Sequence, residues 1–160
     1  MSYIEKIKSE HEKTEGSNTN KIIDAIKGFV PVFIAQHFDT ASTIHILPIL
    51  ASFGVIIGHS KSIFLKFTGG KSVASGVGTI LALNWQIGLI IAGIWAVITY
   101  CSKYVSLGSV VALAISPLIM YLFNQPIAYI LYCVVGAIYI IYLHRQNIQR
   151  LIKGEENKVR

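Results

Sequence analysis

Six apolar segments separated by short polar turns occupy most of this chain and limit what it can fold into. The chain is 53% hydrophobic and only 14% charged, which is too apolar for an ordinary soluble domain of 160 residues. We therefore predict an all-α, polytopic membrane helix bundle with about six transmembrane or half-membrane helices. The segments are Ile22–Gln36, Ala41–Ile57, Ser72–Leu83, Ile87–Tyr100, Val105–Phe123 and Ile127–Leu143.

The segments differ in length, and the third is the shortest. Ile127–Leu143 spans roughly 26 Å as a helix, close to the bilayer core of about 30 Å. Ser72–Leu83 spans only about 18 Å, so it must start inside the membrane, cross a thinned region or be shielded by its neighbours. Gly76 and Gly78 are small residues that allow close helix packing there.

The distribution of positive charge predicts the orientation. If the segments alternate in direction, all 14 Lys and Arg residues fall on one side of the membrane. The turns on the other side, His37–Thr40, Asn84–Gln86 and Asn124–Pro126, contain none. By the positive-inside rule the basic side is cytoplasmic. We expect a multi-pass protein of the bacterial inner membrane with both termini in the cytoplasm.

No carboxylate occurs between Asp39 and Glu155, although seven cations lie on the predicted cytoplasmic face in this stretch. These cations need external anions, which are lipid headgroups, phosphorylated substrates or both. A surface that only binds anionic lipid is the simpler alternative. We expect no nucleic-acid partner, and the sequence does not define an oligomeric state.

The chain divides into residues 1–20, a polar segment; 21–143, the helix bundle; and 144–160, a basic tail. The first segment has helical charge spacing, but disorder is an equal alternative. We expect no cleavable signal peptide, because the first apolar run follows a polar stretch. Cys101 and Cys133 fall within or at the end of apolar segments and are interpreted as small buried hydrophobic residues.

A basic, glycine-rich loop, Gly58–Gly76, is the strongest candidate site. A Gly-Gly pair and Lys71 directly precede the helix predicted from Ser72. Free backbone N–H groups and the positive helix end can therefore bind one phosphate. The alternative is that these lysines only flank apolar segments, as in many membrane proteins.

Two further segments combine hydroxyl, amide and basic groups at the cytoplasmic face. Ser102–Ser109 opens the fifth segment, where its hydroxyls could simply cap the helix. In the tail, His144 and Asn147 are three residues apart and share a helix face, although a basic helix lying on anionic lipid is an equal alternative.

Four charged or histidine residues near the first two apolar segments are interpreted as structural. Asp24 and Lys27 are three residues apart, so they lie on the same helix face and should neutralise each other near the membrane interface. His37 and His45 lie near the outer face without a partner pattern.

The loop resembles the second signature of the acyl-phosphate-dependent glycerol-3-phosphate acyltransferases, the PlsY family. That signature runs roughly Gly-His-x-x-Pro-x-Phe-Leu-x-Phe-x-Gly-Gly-Lys-Gly-Val-Ala-Thr. Ser62 replaces its proline and Ser72 a glycine. The matching residues are Gly58, His59, Phe64, Leu65, Phe67, Gly69, Gly70, Lys71, Val73 and Ala74.

The other segments resemble the same family. Ser102–Ser109 is similar to its Thr/Ser-Arg-Tyr-x-Ser-Leu-x-Ser pattern, with Lys103 in place of arginine, and Asp24–Gly28 to Asp-x-x-Lys-Gly. The tail from His144 matches His-Arg-x-Asn-Ile-x-Arg-Leu-x-x-Gly-x-Glu without gaps. Family members have seven helices, and only Gly16–Asn20 resembles the loop that follows their first helix.

The resemblance implies acyl transfer from acyl phosphate to glycerol 3-phosphate, giving lysophosphatidic acid for phospholipid biosynthesis, without cofactor or metal. It implies His59 and Lys71 as catalytic residues. The implied substrate and phosphate ligands are Gly69, Gly70, Lys71, Ser72, Lys103, Ser106, His144 and Asn147. The alternative is a catalytically impaired protein of the same fold that only binds anionic lipid or phosphate. Because the first helix and loop of the family are missing, we expect slow turnover.

Overall fold

A computed structural model describes residues 3–39, 45–63 and 73–159, with side chains described for 19–39, 45–58 and 73–159. Within these ranges the chain forms seven helices, so the predicted all-α membrane bundle is confirmed. The helices are α1 (Tyr3–Phe38), α2 (Ile46–Ile63), α3 (Val73–Leu83), α4 (Trp85–Ser102), α5 (Val105–Leu122), α6 (Ile127–Leu143) and α7 (Arg145–Lys153).

The predicted segments agree best with the later helices. α6 has the predicted bounds, α5 ends one residue earlier than predicted, and α3 ends at the predicted residue, Leu83. The predicted first residue of α3, Ser72, lies outside the described residues. The N-terminal region differs more, because α1 runs without a break from the polar segment into the first apolar segment. Asn20 is therefore helical, and the disordered alternative is wrong for the described part of this segment. α2 begins only at Ile46, and residues 40–44 lie outside the described residues.

Only some of these helices have the length and composition of a complete span. Among the described residues, α4 and α5 are long and apolar enough to cross a membrane, and α6 with α7 forms a third candidate. The apolar parts of α2 and α3 are shorter. Short apolar helices need neighbours that cover their polar ends, because lipid cannot hydrogen-bond to the backbone.

α3 is the short helix that its neighbours shield. It packs chiefly against α1 and also against α4, and seven of its eleven residues are buried. Its contact with α1 is made through backbone atoms, because a Cβ atom on Gly28 would overlap the carbonyl oxygen of Ser75. A Cβ atom on Gly78 would overlap the carbonyl oxygen of Ala25 in the same way. Gly78 thus fulfils the predicted packing role, and α3 holds its place against α1.

Polar side chains join the helices inside the bundle. The hydroxyl groups of Thr79 in α3 and Tyr132 in α6 are 2.6 Å apart and hydrogen-bonded. The Gln36 side chain of α1 donates to the carbonyl oxygen of Leu83 at 3.2 Å and to the hydroxyl of Tyr129 at 3.3 Å. Each bond pairs polar groups within the bundle, and each links two helices.

The two cysteines differ in environment. Cys133 is buried in α6, as predicted, whereas Cys101 is exposed near the end of α4. The prediction of a buried Cys101 was therefore wrong. The buried residues of α4, Ile87, Gly88 and Ile91, all lie in its first half, whereas Cys101 is the next-to-last residue of the helix.

The predicted interfacial ion pair is present, and both histidines contact aromatic rings. The Lys27 ammonium lies 3.9 Å from the Asp24 carboxylate. His37 packs edge-on against Phe38, and His45 lies 5.3 Å from the ring of Tyr129. These contacts agree with the structural interpretation of the pair and of both histidines.

Candidate functional site

The candidate site begins at a bend between α6 and α7. The two helices meet at 59° around His144, which ends one and precedes the other. The His144 side chain is only 3% exposed, and its Nδ1 atom lies 2.9 Å from the carbonyl oxygen of Ile140. This bond orients the imidazole against the end of α6, and the bend directs α7 across the end of the bundle.

A carboxylate from the tail joins α7 to the beginning of α5. The Ser106 hydroxyl donates to Glu156 Oε1 at 2.9 Å, and Asn147 Nδ2 donates to the same oxygen at 2.6 Å. Arg150 Nε donates to Glu156 Oε2 at 2.8 Å. These four residues are called the Glu156 cluster below. They bring together Ser106 and Asn147, two predicted ligands that are 41 residues apart in sequence.

The tail reaches this position by a reversal after α7. Gly154 ends the helix in the left-handed conformation, with φ 71°, and the N–H of Glu155 donates to the carbonyl oxygen of Arg150 at 2.8 Å. Glycine adopts this conformation without steric cost and commonly ends helices. The Val159 N–H then donates to the carbonyl oxygen of Lys103 at 2.8 Å, so the tail is held at the α4–α5 turn.

The electrostatics of the cluster favour an ionised Glu156. Desolvation of the side chain, which is 8% exposed, raises its pKa, but hydrogen bonds from Arg150, Asn147 and Ser106 outweigh this effect. The net pKa of Glu156 is below its usual value, because all three donors stabilise the charged form. Glu156 is therefore an anion at neutral pH and a poor proton acceptor.

Asn147 uses only one end of its amide in this arrangement. Its side chain is 9% exposed, and Nδ2 is bonded to Glu156. Its Oδ1 atom is buried and accepts no hydrogen bond from the residues that the structure describes. A buried amide oxygen without a donor is costly, and one in a candidate site is an available acceptor.

Two of the described cations at this face lie over aromatic rings. Lys103 adopts the left-handed conformation, with φ 63°, and its ammonium lies 4.4 Å from the centre of the Tyr100 ring. Arg145 lies 4.5 Å from the ring of Tyr142. Lys103 is exposed and its ammonium lies outside the Glu156 cluster, so it faces the surface in this conformation.

The predicted site residues fall into three groups. Ser106 and Asn147 meet at Glu156, with His144 three residues before Asn147, whereas Lys103 contributes its backbone carbonyl to holding the tail. His59 lies in the last part of α2, but its side chain is outside the described residues. The remaining predicted ligands, Gly69, Gly70, Lys71 and Ser72, also lie outside the described residues.

The Ser102 and Ser106 hydroxyls, on either side of the α4–α5 turn, do not act as the predicted helix cap. α5 begins after Tyr104, which makes no side-chain cap, and the Ser102 hydroxyl instead accepts a hydrogen bond from the Tyr104 N–H. Ser106 bonds to Glu156. The simple capping alternative is therefore wrong for Ser106.

Glu156 and Arg150 are the residues that sequence reasoning missed. The cations between Asp39 and Glu155 were counted without the acids that follow them. Arg150 was therefore included among the charges that need an external anion. Its partner is instead internal. The available signal was Glu156 itself, an acid in a basic tail at the final position of the tail pattern.

Comparison with known sequences gives one consistent result. A family model described as "Glycerol-3-phosphate acyltransferase" matches residues 18–154. A glycerol-3-phosphate acyltransferase of Trichormus variabilis is 39% identical over 151 residues, which cover 86% of this chain and 67% of the relative. Glycerol-3-phosphate acyltransferase 2 of Thermotoga maritima is 44% identical over 138 residues, which cover 86% of this chain and 68% of the relative.

Two solved structures of PlsY, an integral membrane glycerol 3-phosphate acyltransferase, share this fold at 29% sequence identity. The glycerol 3-phosphate form superposes with a TM-score of 0.79, covering 88% of this chain and 69% of the other. The lysophosphatidic acid form superposes with a TM-score of 0.78, covering 88% of this chain and 70% of the other. The chain thus spans about two thirds of the length of the proteins that it matches.

Proposed function

This chain belongs to the glycerol-3-phosphate acyltransferase family, and we propose that it transfers an acyl group from acyl phosphate to glycerol 3-phosphate. The main support is the agreement of its fold with PlsY structures in a glycerol 3-phosphate form and a lysophosphatidic acid form. One form carries the acceptor and the other the acylated acceptor. The products here would be lysophosphatidic acid and inorganic phosphate.

The reaction needs positioning more than a covalent intermediate. A hydroxyl oxygen of glycerol 3-phosphate attacks the acyl carbonyl carbon, the bond from that carbon to the phosphate oxygen breaks, and inorganic phosphate leaves. The hydroxyl proton passes to His59 or to a phosphate oxygen of the substrate. Holding two anions close together and stabilising charge on the reacting centre supply the rate enhancement.

The proposed binding groups come from three parts of the chain. Lys71 and the backbone amides of Gly69, Gly70 and Ser72 bind phosphate at the beginning of α3. Their support is the position of α3, which begins at Val73, directly after these residues in the sequence.

Ser106, His144 and Asn147 supply the second part of the site, at the end of the bundle where α5, α6 and α7 meet. Lys103 adds positive charge beside them. Lysine is a less directional phosphate ligand than the arginine of the family pattern, because it lacks a planar fork of donors.

The same face of the bundle binds membrane lipids and lies on the cytoplasmic side of a bacterial inner membrane. The asymmetry of Lys and Arg supports this orientation, in which both termini are on the cytoplasmic side. Lys103 and Arg145 over tyrosine rings suit an interface where aromatic groups and cations contact headgroups.

An acyl-phosphate assay tests the proposal. The purified chain, in lipid vesicles, is given acyl phosphate and labelled glycerol 3-phosphate, and lysophosphatidic acid and inorganic phosphate are measured together. We expect equal amounts of both products. Release of phosphate without lysophosphatidic acid would contradict acyl transfer, and absence of both, with retained phosphate binding, would favour the non-catalytic alternative.

A further inference from the structure

Two lysines and two tyrosines meet where the docked tail reaches the α4–α5 turn. The Val159 N–H donates to the carbonyl oxygen of Lys103, so Lys158 lies beside this turn. The Lys158 ammonium is 5.7 Å from the centre of the Tyr104 ring. We propose that these four residues bind the phosphate headgroup of an anionic membrane phospholipid. They are called the headgroup site below: Tyr100, Lys103, Tyr104 and Lys158.

The positive charge of the headgroup site is not balanced within the described part of the chain. Lys103 and Lys158 are both exposed, and neither forms an ion pair with a described acid. The tail bond nevertheless brings the two residues to one turn, although like charges repel each other. A bound anion reduces this repulsion. The site therefore suits a phosphate group, whose oxygens accept hydrogen bonds from ammonium groups.

The position of the site at the end of a candidate membrane span selects a lipid as its occupant. α4 is long and apolar enough to cross a membrane, and its exposed residues recur along one side at Leu89, Gly93, Val97 and Tyr100. Tyr100 is 76% exposed in the last turn of this helix, and tyrosine is common at the level of the headgroups. A phospholipid can therefore place an acyl chain along α4 and its phosphate beside the two lysines.

The tyrosine rings prepare the lysines for an anion. The Lys103 ammonium lies 4.4 Å from the centre of the Tyr100 ring, and such a contact limits the rotamers that a long side chain adopts. Less conformational entropy is then lost when a ligand binds. A lysine ammonium has three donors, and contact with a ring leaves donors available for phosphate oxygens. The rings thus order the site without replacing its ligand.

The site is complete only while the tail is docked. The bond from Val159 to Lys103 places Lys158 at the turn, so release of the tail would separate the two lysines. A ligand that binds only the docked form stabilises that form by mass action. Anionic lipid should therefore hold the tail against the bundle. The structural alternative is that Lys158 only packs on Tyr104, and it gives no dependence on the lipid headgroup.

The inference rests on the proposed contact of this face with membrane lipids and does not depend on acyl transfer. The binding test compares Lys158→Ala with Lys153→Ala, which removes the same charge from another exposed position. Native mass spectrometry of the purified chain in neutral detergent micelles gives the Kd of phosphatidylglycerol, with phosphatidylcholine as the lipid without net charge. We expect Lys158→Ala to weaken phosphatidylglycerol binding about fivefold and to leave phosphatidylcholine binding unchanged. Lys153→Ala should stay within about twofold, and Lys158→Arg should keep the original affinity.

Inorganic phosphate distinguishes the two sources of the same chemistry. We expect phosphatidylglycerol to stay bound at an equal concentration of inorganic phosphate, because a free ion lacks the acyl chains that contact α4. Displacement at equal concentration would overturn the assignment to lipid. Equal losses from Lys158→Ala and Lys153→Ala, or equal binding of both lipids by the unchanged chain, would leave only diffuse attraction to the membrane and would overturn the headgroup site.

Hydrogen exchange tests the link to the tail without substrate or turnover. In bilayer discs of phosphatidylglycerol, the Val159 amide should exchange about fivefold more slowly than in discs of phosphatidylcholine. Lys158→Ala should remove this difference, and Lys153→Ala should keep it. A chain that makes no lysophosphatidic acid can still show the protection, so failure of acyl transfer and failure of the headgroup site are separate results. Exchange that is the same in both lipids would overturn the inference.

Discussion

Gly28 in α1 lies directly against the backbone carbonyl of Ser75 in α3, with no space for a side chain between them. The Ser75 hydroxyl also donates to the carbonyl oxygen of Asp24 at 3.1 Å. α1 and α3 are therefore joined at backbone distance over one turn of helix. This contact fixes the beginning of α3, which the proposed phosphate turn immediately precedes.

We predict that Gly28→Ala destabilises the bundle. The added methyl group would have to displace backbone atoms, and overpacking costs about 1–3 kcal/mol. This cost exceeds the gain of at most about 1 kcal/mol that alanine brings to a helix interior. Thermal unfolding in detergent micelles should show a lower midpoint.

Gly93→Ala is the matched control, because a Cβ atom at residue 93 of α4 meets nothing within 4 Å among the contacts described. We expect its midpoint to be unchanged or slightly higher. Equal midpoints for both variants would show that the close approach of α1 to α3 does not contribute to stability.

We predict that Lys71→Ala weakens binding of glycerol 3-phosphate more than Lys61→Ala does. Lys71 comes just before α3 in sequence, where the first N–H groups of a helix have no partner within the helix, whereas we expect Lys61, near the end of α2, to contact lipid headgroups. Loss of a charged hydrogen bond of about 1.5–3 kcal/mol should raise the Kd at least tenfold. Calorimetric titration measures both constants, and equal losses would mean that the loop acts as diffuse charge.

We predict that the turn after α5 faces away from the cytoplasm. A cysteine placed at Asn124 in a Cys101→Ser background should react with a membrane-impermeant reagent only from the outer side. The unchanged chain is the internal control, because its exposed Cys101 should react from the cytoplasmic side. Labelling of the cysteine at position 124 from the cytoplasmic side alone would contradict the predicted orientation.

We predict that docking of the tail is lost in acid. The folded-state pKa of Glu156 lies below its ordinary value of 4.5, so its stabilising effect is complete above that value. It disappears as the pH falls through the lowered pKa, when the carboxylate becomes protonated. The Val159 amide resonance should report this change between neutral pH and the acid range. In Glu156→Gln the same resonance should not respond to pH in that range.

The sequence predicted the helices well wherever apolar length was the deciding property. α6 has the predicted bounds because Pro126 and the polar residues after Leu143 limit its apolar run. The N-terminal half of α1 could not be predicted in this way, because its charges fit a surface helix or a disordered segment equally well. Its continuation from the apolar segment that follows decides the outcome, since extending a helix needs no new nucleation.

The site was predicted as a set of residues but not as a set of contacts. Ser106, His144 and Asn147 followed from the family patterns, and two of them meet at one carboxylate. Glu156 was missed because a charge count along the sequence does not include the reversal at Gly154, which returns the tail to α5. Such a contact depends on tertiary folding, and local spacing carries no information about it.

Lys103 is the residue where local strain and charge oppose each other. It holds a left-handed conformation, with φ 63°, that costs a residue with a side chain about 1–2 kcal/mol and costs glycine almost nothing. Lys103→Gly should therefore make the bundle harder to unfold while it weakens the attraction for phosphate. Selection for stability alone would favour glycine at this turn. On the proposal that Lys103 binds phosphate, the lysine lowers the stability of the bundle but raises its affinity for substrate, and a glycine introduced for heat resistance would reduce that affinity.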